Sequence, residues 1–141
     1  MLIDASFNAT TRRILNAAIE VHRTIGPGLL ESAYLECLEF ELAARKMRFE
    51  RQRVVPIFYK GNRLVTTYRA DLIVEDLVVV EVKSVAATLP IHEAQVITYL
   101  KLTGHAVGLL INFNVPRLMD GVKRLINGRR AQRSSTRPSN E

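Results

Sequence analysis

Residues 77–83 read Leu77-Val78-Val79-Val80-Glu81-Val82-Lys83, and this stretch decides the fold. It is apolar at every position until the charges arrive. Continuous Val-rich runs of this length mark a strand covered on both sides, the usual state of a central strand between helical layers. Glu81 and Lys83 lie two apart, so on a strand their side chains leave the same face. Setting a carboxylate and an ammonium at the end of such a strand costs desolvation energy. A fold tolerates that when the pair meets a ligand or another charge.

Immediately before it, Glu75-Asp76 separates this strand from another, Leu64 to Val74, which carries Asp71 between Ala70 and Leu72-Ile73-Val74. Asp71 is therefore a second acid within apolar sequence. Two carboxylates brought together repel unless a divalent cation lies between them, and hard Mg²⁺ takes a few carboxylate or carbonyl oxygens while leaving its other positions to water and phosphate. The simpler reading is an ion pair of Lys83 with Glu81 or Asp71 near the sheet edge. Loop length discriminates. A two-residue turn at Glu75-Asp76 would pair Asp71 with Val80 and send Asp71 to the face opposite Glu81, because one residue of offset flips every side chain. Convergence requires an odd-length loop or a β-bulge between residues 71 and 81.

Further out, Ile14, Ala18, Val21 and Ile25 fall at helical spacing and predict a helix over 8–25, ended by Gly26-Pro27-Gly28. Ala33, Leu35, Leu38, Leu42 and Ala43 predict a second helix over 30–46. Val54 to Tyr59 reads as a strand before the turn Lys60-Gly61-Asn62, and Pro56 assigns it to a sheet edge because proline cannot donate to a ladder. Pro90 opens a helix to about Leu102, with Gly104 as its C-terminal glycine. Ala106 to Asn112 reads as a buried strand and 120–126 as a short final helix. The order α, α, β, β, β, α, β, α specifies an α/β fold with a mixed central sheet flanked by helices. One domain over 1–127 is expected, followed by a basic tail over 128–141 that its Arg/Ser/Pro composition marks as disordered.

The net charge of +6 is concentrated in the tail: residues 117–141 hold seven basic groups against two acids, while the preceding 116 residues carry thirteen against twelve. Such a tail attracts phosphate by counterion release, or simply keeps the protein soluble. Cys37 is the only cysteine, which excludes an internal disulfide framework or a cysteine-ligated metal within one chain, and mid-helix it reads as a small buried hydrophobe. His22, His92 and His105 lack zinc-site spacing, and there is no Gly-rich phosphate loop. No apolar run suits a membrane helix and the start lacks a signal-peptide layout, so a cytoplasmic location is expected.

Asp71, nine residues, then Glu81-Val82-Lys83 resembles the signature of the PD-(D/E)xK nuclease superfamily, with Ala70 where the namesake proline would stand. On the following helix Gln95-Val96-Ile97-Thr98-Tyr99 resembles the Q-x-x-x-Y element of some members. Gly28-Leu29-Leu30-Glu31-Ser32-Ala33-Tyr34 is similar to the G-x-x-E-x-x-Y motif that names a bacterial group within the superfamily, and the likeness runs over about residues 10–127. The resemblance implies an αβββαβ restriction-endonuclease-like core with an extra N-terminal helix. It implies a Mg²⁺-dependent (or Mn²⁺-dependent) nuclease acting on nucleic acid, DNA above RNA. Asp71, Glu81, the Val82 carbonyl and Glu31 would hold the metal, Lys83 would orient water or stabilise developing charge, and Gln95 and Tyr99 would position phosphate or water. The competing expectation is a catalytically silent module that keeps the fold and binds nucleic acid or protein. Lys101, Tyr59 and the cluster Arg45-Lys46, Arg48, Arg51, Arg53 could touch a DNA backbone, although such a run is usually a solvated face. Oligomeric state is not legible.

Overall fold

The computed structural model describes residues 5–128, with side chains from Asn8 onward. The basic tail beyond Gly128 lies outside the described residues. Helix α1 (Ala5–Ile25) presents Ile14, Ala17, Ala18 and Val21 as one buried stripe, and α2 (Glu31–Ala44) buries Tyr34, Leu38 and Leu42 at successive i+4 steps. Between them the chain turns on Gly26 (φ 78°) and Gly28 (φ 110°), a conformation open to glycine at little cost.

Five strands follow: β1 (Phe49–Tyr59), β2 (Asn62–Val74), β3 (Val78–Lys83), β4 (Val107–Asn112) and β5 (Val122–Ile126), lying side by side in that order. β3 and β4 are parallel, joined across one face by α3 (Pro90–Thr103), and every other pair is antiparallel. Helix α3 ends as expected, on Gly104 in the left-handed region (φ 80°). The sheet is a filling between two unequal layers. Leu72, Val74, Val78, Val80, Val82, Leu109 and Ile111 pack beneath α1 and α2, while Val55, Ala70, Ile73 and Val79 pack beneath Tyr99 and Leu100 of α3. Gly108 lets α3 approach: a Cβ there would stand 2.7 Å from Val96 Cγ1.

Two expectations are corrected. Residues 120–126 are not a helix: a 3-10 turn (Leu118–Gly121) leads straight into β5, which pairs with β4 from Val107↔Ile126 to Ile111↔Val122. Seven residues nucleate a helix poorly, whereas the open edge of β4 offers a row of backbone groups that need partners. Gly121 makes the turn possible, since a Cβ there would fall 2.2 Å from the Asn112 carbonyl oxygen. Strand β1 also begins earlier, at Phe49 rather than Val54, so Arg51 and Arg53 are strand residues, each in an ion pair, with Glu39 and Glu50 respectively. Pro56 does lie on an edge strand. No helix among the described residues is long and apolar enough to cross a membrane.

Candidate functional site

The β2–β3 hairpin has an odd-length loop. Leu72↔Val80, Ile73↔Val79 and Val74↔Val78 are the paired positions, leaving Glu75, Asp76 and Leu77 as a three-residue connection in which Glu75 (φ 55°) and Asp76 (φ 52°) both adopt left-handed backbone. Leu77 N–H closes it on the Val74 carbonyl at 2.9 Å. Counting one step beyond Leu72↔Val80 sets Asp71 opposite Glu81. The ladder itself stops there. Asp71 N–H donates to Glu81 Oε2 at 3.0 Å, and Val82 N–H donates to Asp71 Oδ2 at 2.9 Å. Each carboxylate thus bonds the backbone of the opposite strand in place of a carbonyl.

The irregularity extends to β1. Its register with β2 runs Arg51↔Leu72 and then Arg53↔Ala70, omitting Gln52, whose φ is 53°, opposite Asp71. Ala70 and Ile73 are an odd number of residues apart yet share the cluster under α3, so strict alternation is interrupted between them. Departures of this kind re-aim a side chain at the point where a ladder ends.

Charge in this seam is costly. Glu81 is 8% exposed, and burial, then the repulsion of Asp71, pushes its carboxyl up to about 8 despite the Asp71 N–H and the Lys83 charge. Burial also raises Asp71, opposed by the Val82 N–H and Lys83 and reinforced by Glu31 and Glu39. The carboxyl pair therefore retains a proton near neutrality unless a cation relieves the repulsion. Lys83, half-buried on the same strand, makes no ion pair among the described residues, which disposes of the simple salt-bridge reading.

The remaining expected site residues divide. Val82 lies between Glu81 and Lys83 with its side chain in the α1/α2 core. Glu31 opens α2, exposed, and its charge is felt by both carboxyls. It does not complete a cage: no group of three His, Cys, Asp or Glu suited to a metal occurs among the described residues. Gln95 is exposed on α3, and its amide has no hydrogen-bond partner among the described residues. Tyr99, one turn later, is 8% exposed and its hydroxyl grips the Arg69 backbone, donating to the carbonyl and accepting from the N–H at 2.9 Å. Burial and the Glu81 charge push that phenol up to about 12. With both hydrogen bonds made to backbone, Tyr99 holds β2 two residues before Asp71.

The G-x-x-E-x-x-Y stretch gains a physical role. Tyr34 stacks on Phe113 at 4.6 Å, and its hydroxyl donates to the Gly26 carbonyl at 2.5 Å and accepts from Leu29 N–H at 3.1 Å. It pins the loop that delivers Glu31. Ser84 Oγ donates to the Leu29 carbonyl at 2.6 Å, tying that loop to the residue after Lys83. Asn112, 2% exposed and paired with Lys83, accepts from Val85 N–H at 3.1 Å and donates to the Val85 carbonyl at 3.0 Å. Neither Ser84 nor Asn112 was singled out from sequence. Asn112 carries the same signal as Glu81, a polar residue closing an apolar strand.

The model of the PD-(D/E)XK nuclease superfamily matches residues 8–125, from within α1 to within β5, and so includes every residue of the seam. The chain belongs to the PD-(D/E)XK nuclease superfamily. Its five-stranded mixed sheet between helices has the restriction-endonuclease-like form of that superfamily. Superfamily membership implies a nucleic-acid substrate, and nucleases of this superfamily generally use divalent metal ions. No curated protein and no solved structure matches the chain.

Proposed function

We propose that this single-domain protein is a Mg²⁺-dependent nuclease of the G-x-x-E-x-x-Y group, cytoplasmic, which hydrolyses phosphodiester bonds in DNA with an activated water. The observation that carries this reading is the seam in which Asp71 and Glu81 meet across an odd-length hairpin beside an unpaired Lys83.

The donor set fits a hard divalent cation. Two juxtaposed carboxyls, both raised by burial, form a site where added positive charge would displace a proton rather than an ion-pair partner. The chemistry such an ion supplies when bound is Lewis acidity toward a phosphodiester and a lowered pKa for water. Asp71 and Glu81 would hold it, with Glu31 able to contribute through water and the Val82 carbonyl completing the set. Lys83 offers an ammonium to a phosphate oxygen as negative charge grows there. Gln95, free and exposed, supplies an amide to hold the phosphate in line. Tyr99 and Asn112 act through backbone, fixing the strand of Asp71 and the loop after Lys83.

The test is cleavage of circular and linear DNA with Mg²⁺ or Mn²⁺, against EDTA and against Asp71→Ala. Metal-dependent cleavage by the natural protein, lost in the variant, is expected. Equal cleavage by both would end the assignment. A second reading, a nuclease fold that binds without turnover, draws on Glu31 standing apart from the pair. It would be selected if Mg²⁺ raised the melting temperature through Asp71 and no cleavage followed.

A further inference from the structure

Beyond Ala70 the β1–β2 hairpin leaves the rest of the sheet. Asp71 is level with Glu81, and β3 ends at Lys83, so the residues of β2 before Arg69 have no strand but β1 beside them, and only Tyr68 at the base also meets α3, through the Tyr99 ring. Every residue from Phe58 to Thr66 is exposed. From the level of Lys83 to the tip at Gly61 the arm is eight residues, about 25 Å at ~3.3 Å per residue.

Its composition is one-sided. Residues 51–70 contain five basic groups and no acid. Arg51 and Arg53, at the base, are paired with Glu39 and Glu50; Lys60, Arg63 and Arg69 meet no carboxylate among the described residues, and Lys60 lies over the Tyr59 ring at 5.5 Å. Bare apolar groups stand among these cations: Phe58 is 60% exposed, Tyr59 62% and Val65 101%. The register explains Val65. Between Pro56↔Thr67 and Phe58↔Arg63, three residues of β2 face one of β1, and the resulting bulge lifts Val65 clear of the ladder. An isolated two-stranded ribbon is marginally stable unless something covers it.

We propose that this arm is a duplex-DNA grip, a two-stranded ribbon that enters the major groove beside the cleavage point. Lys60 and Arg63 neutralise phosphates there, while Phe58, Tyr59 and Val65 touch base edges and sugars. The charge selects a polyanion, and the width of a B-form major groove admits a two-stranded ribbon. At ~3.4 Å per base-pair step, the tip reaches about seven steps from the Asp71–Glu81 seam. The inference rests on the nuclease reading for the identity of the ligand; the binding it describes needs neither metal nor turnover.

The experiment compares the natural protein with Lys60→Gln/Arg63→Gln in EDTA, by titration of a 30-base-pair duplex from about 50 to 200 mM salt. Each phosphate contact contributes about 0.9 to the slope of log affinity against log salt, so the double variant should lose about 1.8 of slope and on the order of 50-fold in affinity near 0.1 M salt. Lys60→Arg/Arg63→Lys should keep both. An RNA duplex of the same sequence, whose deep, narrow major groove excludes a ribbon, should bind the natural protein at least tenfold more weakly. Unchanged slope and affinity in the double variant would overturn the proposal, as would equal binding of RNA. So would a dimer in sedimentation that Val65→Asp dissociates, since the arm would then join two copies of the chain. Cleavage of bis-(p-nitrophenyl) phosphate, too small to reach the arm, should be the same in both proteins. Loss of slope without any cleavage would retain the grip and dismiss the nuclease, and the converse pattern would do the reverse.

Discussion

The two halves of β2 are made of one continuous strand and obey different physics. From Leu72 to Val74 it is buried on both faces and laddered on both edges, by β1 and by β3. From Asn62 to Arg69 it has a single neighbouring strand, is touched by α3 only at Tyr68 and Arg69, and stands largely in solvent. Asp71 sits at the changeover. A carboxylate deeper in the strand would lose its water entirely, and one further out would feel neither Glu81 nor Lys83. The changeover is where burial is sufficient to raise a carboxyl and space remains for a ligand. A site of this kind belongs where one ladder ends and another continues.

The comparison can be broken most severely at the changeover itself. Asp71→Ala should lower Mg²⁺-dependent cleavage by about 10³-fold or more, and Lys83→Ala by on the order of 10²–10³-fold, the range for removing one preorganised charge-stabilising group. Steady-state rates on linear duplex check this. Retained activity in either variant would place the chemistry elsewhere.

Next comes the contrast in packing. Leu72→Ala should cost about 2–5 kcal/mol in urea unfolding, because Leu72 is fully buried and leaves a cavity. Val65→Ala, seven positions before Leu72 on the same strand but wholly exposed, should fall within about 0.5 kcal/mol of zero. Similar losses for both would contradict the division of β2 into a buried and an exposed half.

A pH series sharpens the same point. Glu81 has its folded carboxyl raised to about 8 from an ordinary 4.5, so the folded state binds more protons than the unfolded chain between those values. Its contribution is fully favourable below about 4.5 and is lost as pH rises through about 8. In EDTA the melting temperature should therefore fall across this window, by the equivalent of a few kcal/mol. Glu81→Gln should flatten the fall, and Mg²⁺ should oppose it by replacing the proton. A curve that rises with pH in EDTA would reverse the electrostatic picture.

The smallest effect concerns Tyr99. Tyr99→Phe removes the hydroxyl from the Arg69 backbone and should cost about 1–2 kcal/mol. Because the phenol acts through β2, kcat should fall while KM for DNA changes less than about twofold. A rise in KM with kcat intact would mean direct substrate contact instead.

Much of this was readable from pattern. The all-apolar run ending in Glu81 and Lys83 located the central strand, and parity required an odd-length loop or a β-bulge between residues 71 and 81 if the charges were to converge. Two limits show why the rest was not. At residues 120–126, a short amphiphilic segment was decided by the free edge of β4, a tertiary fact invisible in a local window. Strand β1 began five residues early because Arg51 and Arg53 sit in pairs with Glu39 and Glu50, partners that hide their fitness for a strand. Within the site, sequence assembled Asp71, Glu81 and Lys83, but could not show that the Tyr99 hydroxyl is fully engaged by backbone or that Asn112 anchors the loop after Lys83.

The turn Glu75-Asp76-Leu77 has a consequence for how such a chain can vary. Surface turns are ordinarily where insertions and deletions are accepted. Here a gain or loss of one residue would rotate the whole of one strand against the other, exchanging the acids of the seam for the aliphatic groups of the core. Length changes in steps of two would leave the faces as they are. The turn that looks most dispensable, at the far end of the hairpin from the seam, is thus the segment whose length the chain is least free to alter.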